Sequence, residues 1–134
     1  MMRDYVLGID HLGLTVADLD ASKAFFVDAL GWDVVGGKPE YPSAFVSNGA
    51  AVLTLWQQNG EHQRGFDRHA HVGLHHAAFK VPDEEALKAV FDAVKDWPGV
   101  TVEFSPEPSG QGPKIHFMIQ EPGGNRIEFA YDPR

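Results

Sequence analysis

The chain of 134 residues contains no cysteine. That excludes disulfides, thiolate metal sites and cysteine nucleophiles, and it agrees with a reducing compartment. Positive charge is also scarce. Eleven Lys and Arg stand against nineteen Asp and Glu, a formal net charge of −8 with no basic run. Nucleic acid and anionic membrane surfaces are therefore poor partners. No apolar run approaches the roughly 20 residues a membrane span needs. The N-terminal stretch MMRDYVLGID lacks the apolar core of a signal peptide. What remains is an ordinary composition, 43% hydrophobic and 22% charged, long enough to bury a core unaided. A soluble cytoplasmic protein of one domain, or of two half-sized units sharing a core, is the expectation.

The chain repeats itself. Ile9-Asp10-His11-Leu12-Gly13-Leu14-Thr15-Val16 reads like Leu74-His75-His76-Ala77-Ala78-Phe79-Lys80-Val81, with His11 superposed on His76. Each stretch reads as a strand, and each is followed by a helix. In the first half Asp18 or Asp20 caps it, Phe25, Phe26, Ala29 and Leu30 form its apolar stripe, and Gly31 stops it. In the second half Pro82-Asp83-Glu84-Glu85 opens it, Leu87, Val90, Phe91 and Val94 recur at helical spacing, and Pro98 ends it. Three short strands follow in each half: near Trp32–Val35, Ser43–Ser47 and Ala51–Gln57, then near Val100–Phe104, Lys114–Gln120 and Arg126–Tyr131. Turns are expected at Gly36-Gly37, Asn48-Gly49 and Pro122-Gly123-Gly124-Asn125. The expected class is α+β: a βαβββ module over residues 1–57, a polar linker over 58–71 and a second βαβββ module over 72–134, together one structural domain. Two such sheets face to face would enclose a cleft.

His11 and His76 occupy equivalent places on equivalent strands, so both imidazoles are expected on the cleft side. A neutral imidazole is a good ligand for a first-row metal. Glu128 joins them. Ile127 and Phe129 flank it on the opposite face, and a carboxylate aimed into a protein interior needs a partner. Two His and one Glu would hold a divalent ion and leave positions open for substrate. The alternative for each His is a core imidazole bonded to a backbone carbonyl, and for Glu128 a solvent-facing strand edge. The turn at Pro122-Gly123-Gly124 would pair Met118 with Glu128 and His116 with Ala130. His116 is then a candidate acid, base or substrate anchor on the cleft face, or, one register away, a solvent-facing residue.

Three stretches resemble the vicinal oxygen chelate superfamily: residues 9–19 with Phe25-Phe26 and Leu30-Gly31-Trp32; His76-Ala77-Ala78-Phe79-Lys80-Val81; and His116 through Glu128. That group includes glyoxalase I, extradiol dioxygenases, fosfomycin-resistance thiol transferases, methylmalonyl-CoA epimerase and bleomycin-resistance proteins. The resemblance covers nearly the whole chain. It implies paired βαβββ modules, a homodimer, and a metal held within one chain or across a module-exchanged interface. It also implies a divalent metal (Fe, Mn, Ni, Zn or Co) on His11, His76 and Glu128.

Departures narrow the reading. Aligning the two halves puts Thr54 opposite Glu128, where glyoxalase I has a Glu that serves as ligand and base. Thr54 is a poor ligand and no base near neutral pH. Extradiol dioxygenases add a Tyr and an earlier His; here Met118 stands at the Tyr position and Ser109, Gly110 and Gln111 near the His. The thiol transferases continue past the last ligand with phosphonate-binding residues, whereas this chain stops six residues after Glu128. The resemblance thus implies a metal-dependent lyase, isomerase or dioxygenase acting on a small oxygen-bearing substrate. The alternative is a drug-binding protein of the bleomycin-resistance type. Phe45, Trp56, Phe117 and Tyr131, with Thr54 and Met118, are the candidate substrate-binding residues, the aromatics among them serving equally well as plain core. His62, His69, His71 and His75 receive no role.

Overall fold

The computed structural model describes residues 1–60 and 64–134. His62, and with it part of the linker, lies outside the described residues. The first unit runs β1 (Leu12–Val16), α1 (Leu19–Ala24, continued by one wider turn over Phe25–Ala29), β2 (Asp33–Lys38), β3 (Tyr41–Ser47) and β4 (Val52–Gln57). The second runs β5 (Ala77–Lys80), α2 (Glu84–Val94), β6 (Thr101–Pro108), β7 (Ile115–Gln120) and β8 (Arg126–Tyr131). The two sheets have the same order, β1-β4-β3-β2 and β5-β8-β7-β6. In each, the first strand is parallel to the last and the other pairs are antiparallel. This is the expected α+β architecture of tandem βαβββ modules.

The helix starts are set by local chemistry. Asp18 accepts a hydrogen bond from the Ala21 amide and Asp83 from the Ala86 amide, each satisfying a donor that the first turn leaves unpaired. Alternation along the strands then sorts the two faces of each sheet. Leu14 and Val16 are buried while Gly13 and Thr15, which alternate with them, are exposed. Leu53 and Leu55 on β4, and Ile127 and Phe129 on β8, point the same way as the helices. These helix-side residues from both units form one core. A row of rings crosses it: Phe26 to Trp32 at 5.3 Å, Trp32 to Phe79 at 5.5 Å and Phe79 to Phe129 at 5.8 Å between centroids.

The turn before β8 fastens the units together. Ala17 donates its amide to the Gly123 carbonyl and Asn125 its side-chain amide to the Thr15 carbonyl, both at 3.0 Å. Ser22, on α1, donates to the buried carboxylate of Glu121. Gly123 fits only because it lacks a side chain. A Cβ there would lie 2.7 Å from the Val16 Cβ and would overlap Ser22 and Glu121.

Three expectations need correction. Gly36-Gly37 is not a turn: β2 runs through it to Lys38, with register shifts at Gly36. A Cβ on Gly36 would meet the Phe45 ring at 3.0 Å, so the glycine gives room for a bulge on an edge strand. β6 runs on past Phe104 through Pro106 to Pro108, which an edge strand permits because one side of it has no partner to donate to. Phe117 and Tyr131 do not face the cleft. Phe117 is fully buried against Phe91 and Phe129, and Tyr131 has the same parity as Ile127 and Phe129. A two-residue period allows them no other side once Glu128 faces outward.

Candidate metal centre

β1 and β5 enter their sheets one residue after His11 and His76. The strand register makes the repeat exact in space: Gly13 pairs with Thr54 on β4, and Ala78 pairs with Glu128 on β8. Thr54 and Glu128 are therefore structural counterparts, as are Phe45 and Met118, their neighbours on the next strands.

On the second unit β7 pairs with β8 so that Met118 lies opposite Glu128 and His116 opposite Ala130. His116, Met118 and Glu128 share the face away from the helices. Glu128 is 7% exposed, and both of its oxygens are occupied by imidazoles. Oε2 lies 2.7 Å from His116 Nδ1 and Oε1 lies 3.3 Å from His76 Nε2. Neither Lys nor Arg forms an ion pair with Glu128 among the described residues. Phe104 packs on the His116 ring, with centroids 4.8 Å apart.

On the first unit the same face carries His11, Thr54 and an aromatic group. His11 is half exposed and its Nδ1 is 2.8 Å from Asp10 Oδ2. The Thr54 hydroxyl accepts from Trp56 Nε1 at 2.9 Å. The Trp56 ring lies 4.9 Å from Tyr41 and 5.5 Å from Phe45.

No three His, Asp or Glu side chains among the described residues are gathered closely enough to hold one metal ion. His11 does not join His76 and Glu128. The chain thus presents two separate donor sets: His76 and Glu128 beside His116 on one unit, and His11 on the other. The first set suits a divalent ion chemically, since a buried carboxylate with no Lys or Arg paired to it among the described residues sits against imidazole nitrogens.

Sequence reasoning missed a network behind His76. Arg126 forms a bidentate pair with Glu103, Nε to Oε2 at 2.7 Å and Nη2 to Oε1 at 3.2 Å, with both side chains mostly buried. The Arg126 hydrogen bond holds the Glu103 carboxyl below its ordinary range. Arg126 Nη1 also donates to the His75 carbonyl and lies 3.1 Å from His75 Nδ1. Loss of hydration, then Arg126 and His76, lower the His75 pKa. Only the repeat could have pointed here, since Asp10 and His75 hold equivalent places ahead of the two candidate ligands. In the linker, His69 and His71 shape a turn instead: the His69 amide donates to Asp67 Oδ1 and the Asp67 amide to His71 Nδ1.

The model of the glyoxalase/bleomycin resistance protein/dioxygenase superfamily matches residues 8–129. The chain belongs to this superfamily. Members of the superfamily generally use divalent metals and act on small molecules. A probable lactoylglutathione lyase from Synechocystis is 31% identical over 128 residues, covering 88% of this chain and 90% of that protein. A catechol-2,3-dioxygenase from Bacillus subtilis is 32% identical over 97 residues, 69% of this chain. This chain spans only about a third of that enzyme, 32% of its length. Among solved structures, a glyoxalase/bleomycin resistance protein/dioxygenase domain from Frankia superposes with a TM-score of 0.81 at 20% identity, covering 96% of this chain and 94% of the other. A lactoylglutathione lyase from Agrobacterium tumefaciens superposes with a TM-score of 0.67 at 26% identity, covering 94% of each chain. Among the described residues no helix of this superfamily member is long and apolar enough to cross a membrane.

Proposed function

We propose that the chain is a divalent-metal-dependent enzyme whose site is completed by a second copy: His76 and Glu128 of one chain would hold the ion together with His11 of the other. The observation that carries this reading is the Glu128 carboxylate, 7% exposed, with His76 Nε2 at 3.3 Å and no cationic Lys or Arg paired to it among the described residues. Exposed apolar residues at the N-terminal end, among them Tyr5, Leu7 and Ile9 just before His11, support a partner surface beside the half-site.

A divalent ion bound there supplies Lewis-acid polarisation of oxygens on a small substrate. The chain's own residues divide the remaining work. His116 holds Glu128 Oε2 and so turns Oε1 toward His76. Thr54, the counterpart of Glu128, is committed to Trp56 and offers neither a carboxylate ligand nor a base. His116, hydrogen-bonded to Glu128 and not placed as a ligand, is then the candidate proton carrier on this face. Tyr41, Phe45 and Trp56 form a cleft-face aromatic group that would take an apolar part of the substrate, with Met118 on the opposite half. The relatives point to two chemistries, that of a lyase and that of a dioxygenase. The missing Tyr and second His at Met118 and Ser109–Gln111 favour the first.

The same aromatic group supports a second reading, a binding protein for a planar drug-like molecule. Chelation separates the two. An enzyme of the proposed kind loses turnover with EDTA and regains it with metal, whereas a binder holds its ligand regardless. Metal analysis of protein purified without added metal is the direct test. The reading predicts uptake approaching one ion per chain, and it is abandoned if neither the purified protein nor the metal-stripped protein takes up any divalent ion.

A further inference from the structure

Each candidate ligand is preceded by a polar residue that reaches the same ring nitrogen. Asp10 Oδ2 is 2.8 Å from His11 Nδ1. His75 Nδ1 is 2.8 Å from His76 Nδ1. In the first unit the direction of the bond is fixed by chemistry: an ionised carboxylate only accepts, so the hydrogen is on His11 Nδ1. In the second unit the contact joins two like nitrogens and does not by itself say which one donates. Arg126 decides it. A guanidinium only donates, and Arg126 Nη1 lies 3.1 Å from His75 Nδ1. A lone pair on His75 Nδ1 suits the guanidinium better than a hydrogen does, which assigns the hydrogen in the His75–His76 contact to His76. The paired Glu103 carboxylate, 2.7 Å from Arg126 Nε, keeps the guanidinium in place.

We propose that Asp10 and His75 are positioning residues which hold His11 and His76 with hydrogen on Nδ1, so that both rings offer Nε2 to the metal. Arg126, anchored on Glu103, sets the direction in the second unit. The proposal rests on the metal reading above for its purpose, but the ring protonation it assigns exists without metal. His76 Nε2 is the ring nitrogen that faces the other candidate ligand, 3.3 Å from Glu128 Oε1. The hydrogen-bond partner of one imidazole nitrogen selects the tautomer and so the atom left for the metal. Both helpers are exposed, Asp10 with 97% of its side chain accessible, so replacing them removes no core packing.

The test is a long-range proton–nitrogen spectrum of the full chain, labelled with nitrogen-15 in histidine and free of metal, at about pH 8 where an unperturbed imidazole is neutral. His11 and His76 are expected with a protonated Nδ1 and a bare Nε2. Hydrogen on Nε2 alone in His76 overturns the proposal. Calorimetric Zn²⁺ titration gives a second readout. His75→Phe, which keeps a ring but no acceptor, is expected to weaken Zn²⁺ binding about 10- to 100-fold and to let His76 take the Nε2–H form. His75→Asn, whose Oδ1 can accept in the place of Nδ1, is expected to stay within a few-fold of wild type. An unchanged His76 spectrum and unchanged affinity in His75→Phe overturn the proposal. A wild type that takes up no Zn²⁺ yet carries hydrogen on His76 Nδ1 overturns the metal reading and supports the ring assignment.

Discussion

Glu128 keeps a carboxylate on a strand whose neighbours Ile127 and Phe129 are fully or almost fully buried. Its only ion-pair partners among the described residues are two imidazoles. Glu128→Gln preserves shape and removes the charge. It is expected to leave the fold intact by circular dichroism and to weaken divalent-metal binding by more than about a hundredfold, beyond the cost of losing an outer contact. Glu121 is a different case: it is 1% exposed, and burial raises its pKa against the opposing hydrogen bonds from Gly123, Ser22 and Asn125. A carboxyl whose folded pKa is raised binds protons more readily folded than unfolded. Its stabilising contribution is thus complete below the unfolded value and is lost as pH rises through the folded one. The thermal midpoint of Glu121→Gln, compared with wild type, is therefore expected to improve as pH rises through that window; a difference independent of pH contradicts it. At this scale the repeat marked His11 and His76, and strand alternation marked Glu128, as candidates from residue order alone. The task of Asp10 and His75 was not, because the direction of the His75–His76 bond depends on Arg126, fifty-one positions on from His75.

The turn between β7 and β8 is where one unit grips the other. Gly123→Ala would force the new Cβ against Val16, Ser22 and Glu121. A loss of about 1–3 kcal/mol, the usual cost of overpacking, is expected by urea denaturation. Phe117, fully buried between Phe91 and Phe129, is expected to cost about 3–5 kcal/mol when changed to Ala, as a core ring does. A cleft-facing ring would cost far less, so the same experiment checks the corrected placement. Strand and helix order was readable because hydrophobic periodicity and the Asp18 and Asp83 caps speak locally. The run of β2 through Gly36-Gly37 was not. A glycine pair signals a turn in isolation, and only the approach of the Phe45 ring across the sheet turns it into a bulge. The run of β6 through Pro106 was equally hidden, since its tolerance of proline depends on the strand being an edge.

The molecule as a whole has one shared core. The helix sides of both sheets are used up in it, which leaves His11 and Trp56 on the remaining face of one sheet and His76 and Glu128 on that of the other. Sequence order could give candidate donors but not their assembly, because whether two modules close on each other or on a second chain depends on packing between distant segments. Separate tags allow a heterodimer of His11→Ala and His76→Ala chains to be isolated. If each site takes His11 from one chain and His76 with Glu128 from the other, the heterodimer keeps one whole site of two. It should then bind about half the Zn²⁺ of the wild-type dimer, while each variant alone binds almost none at that site. A heterodimer that binds no more Zn²⁺ than the separate variants contradicts a site shared between chains.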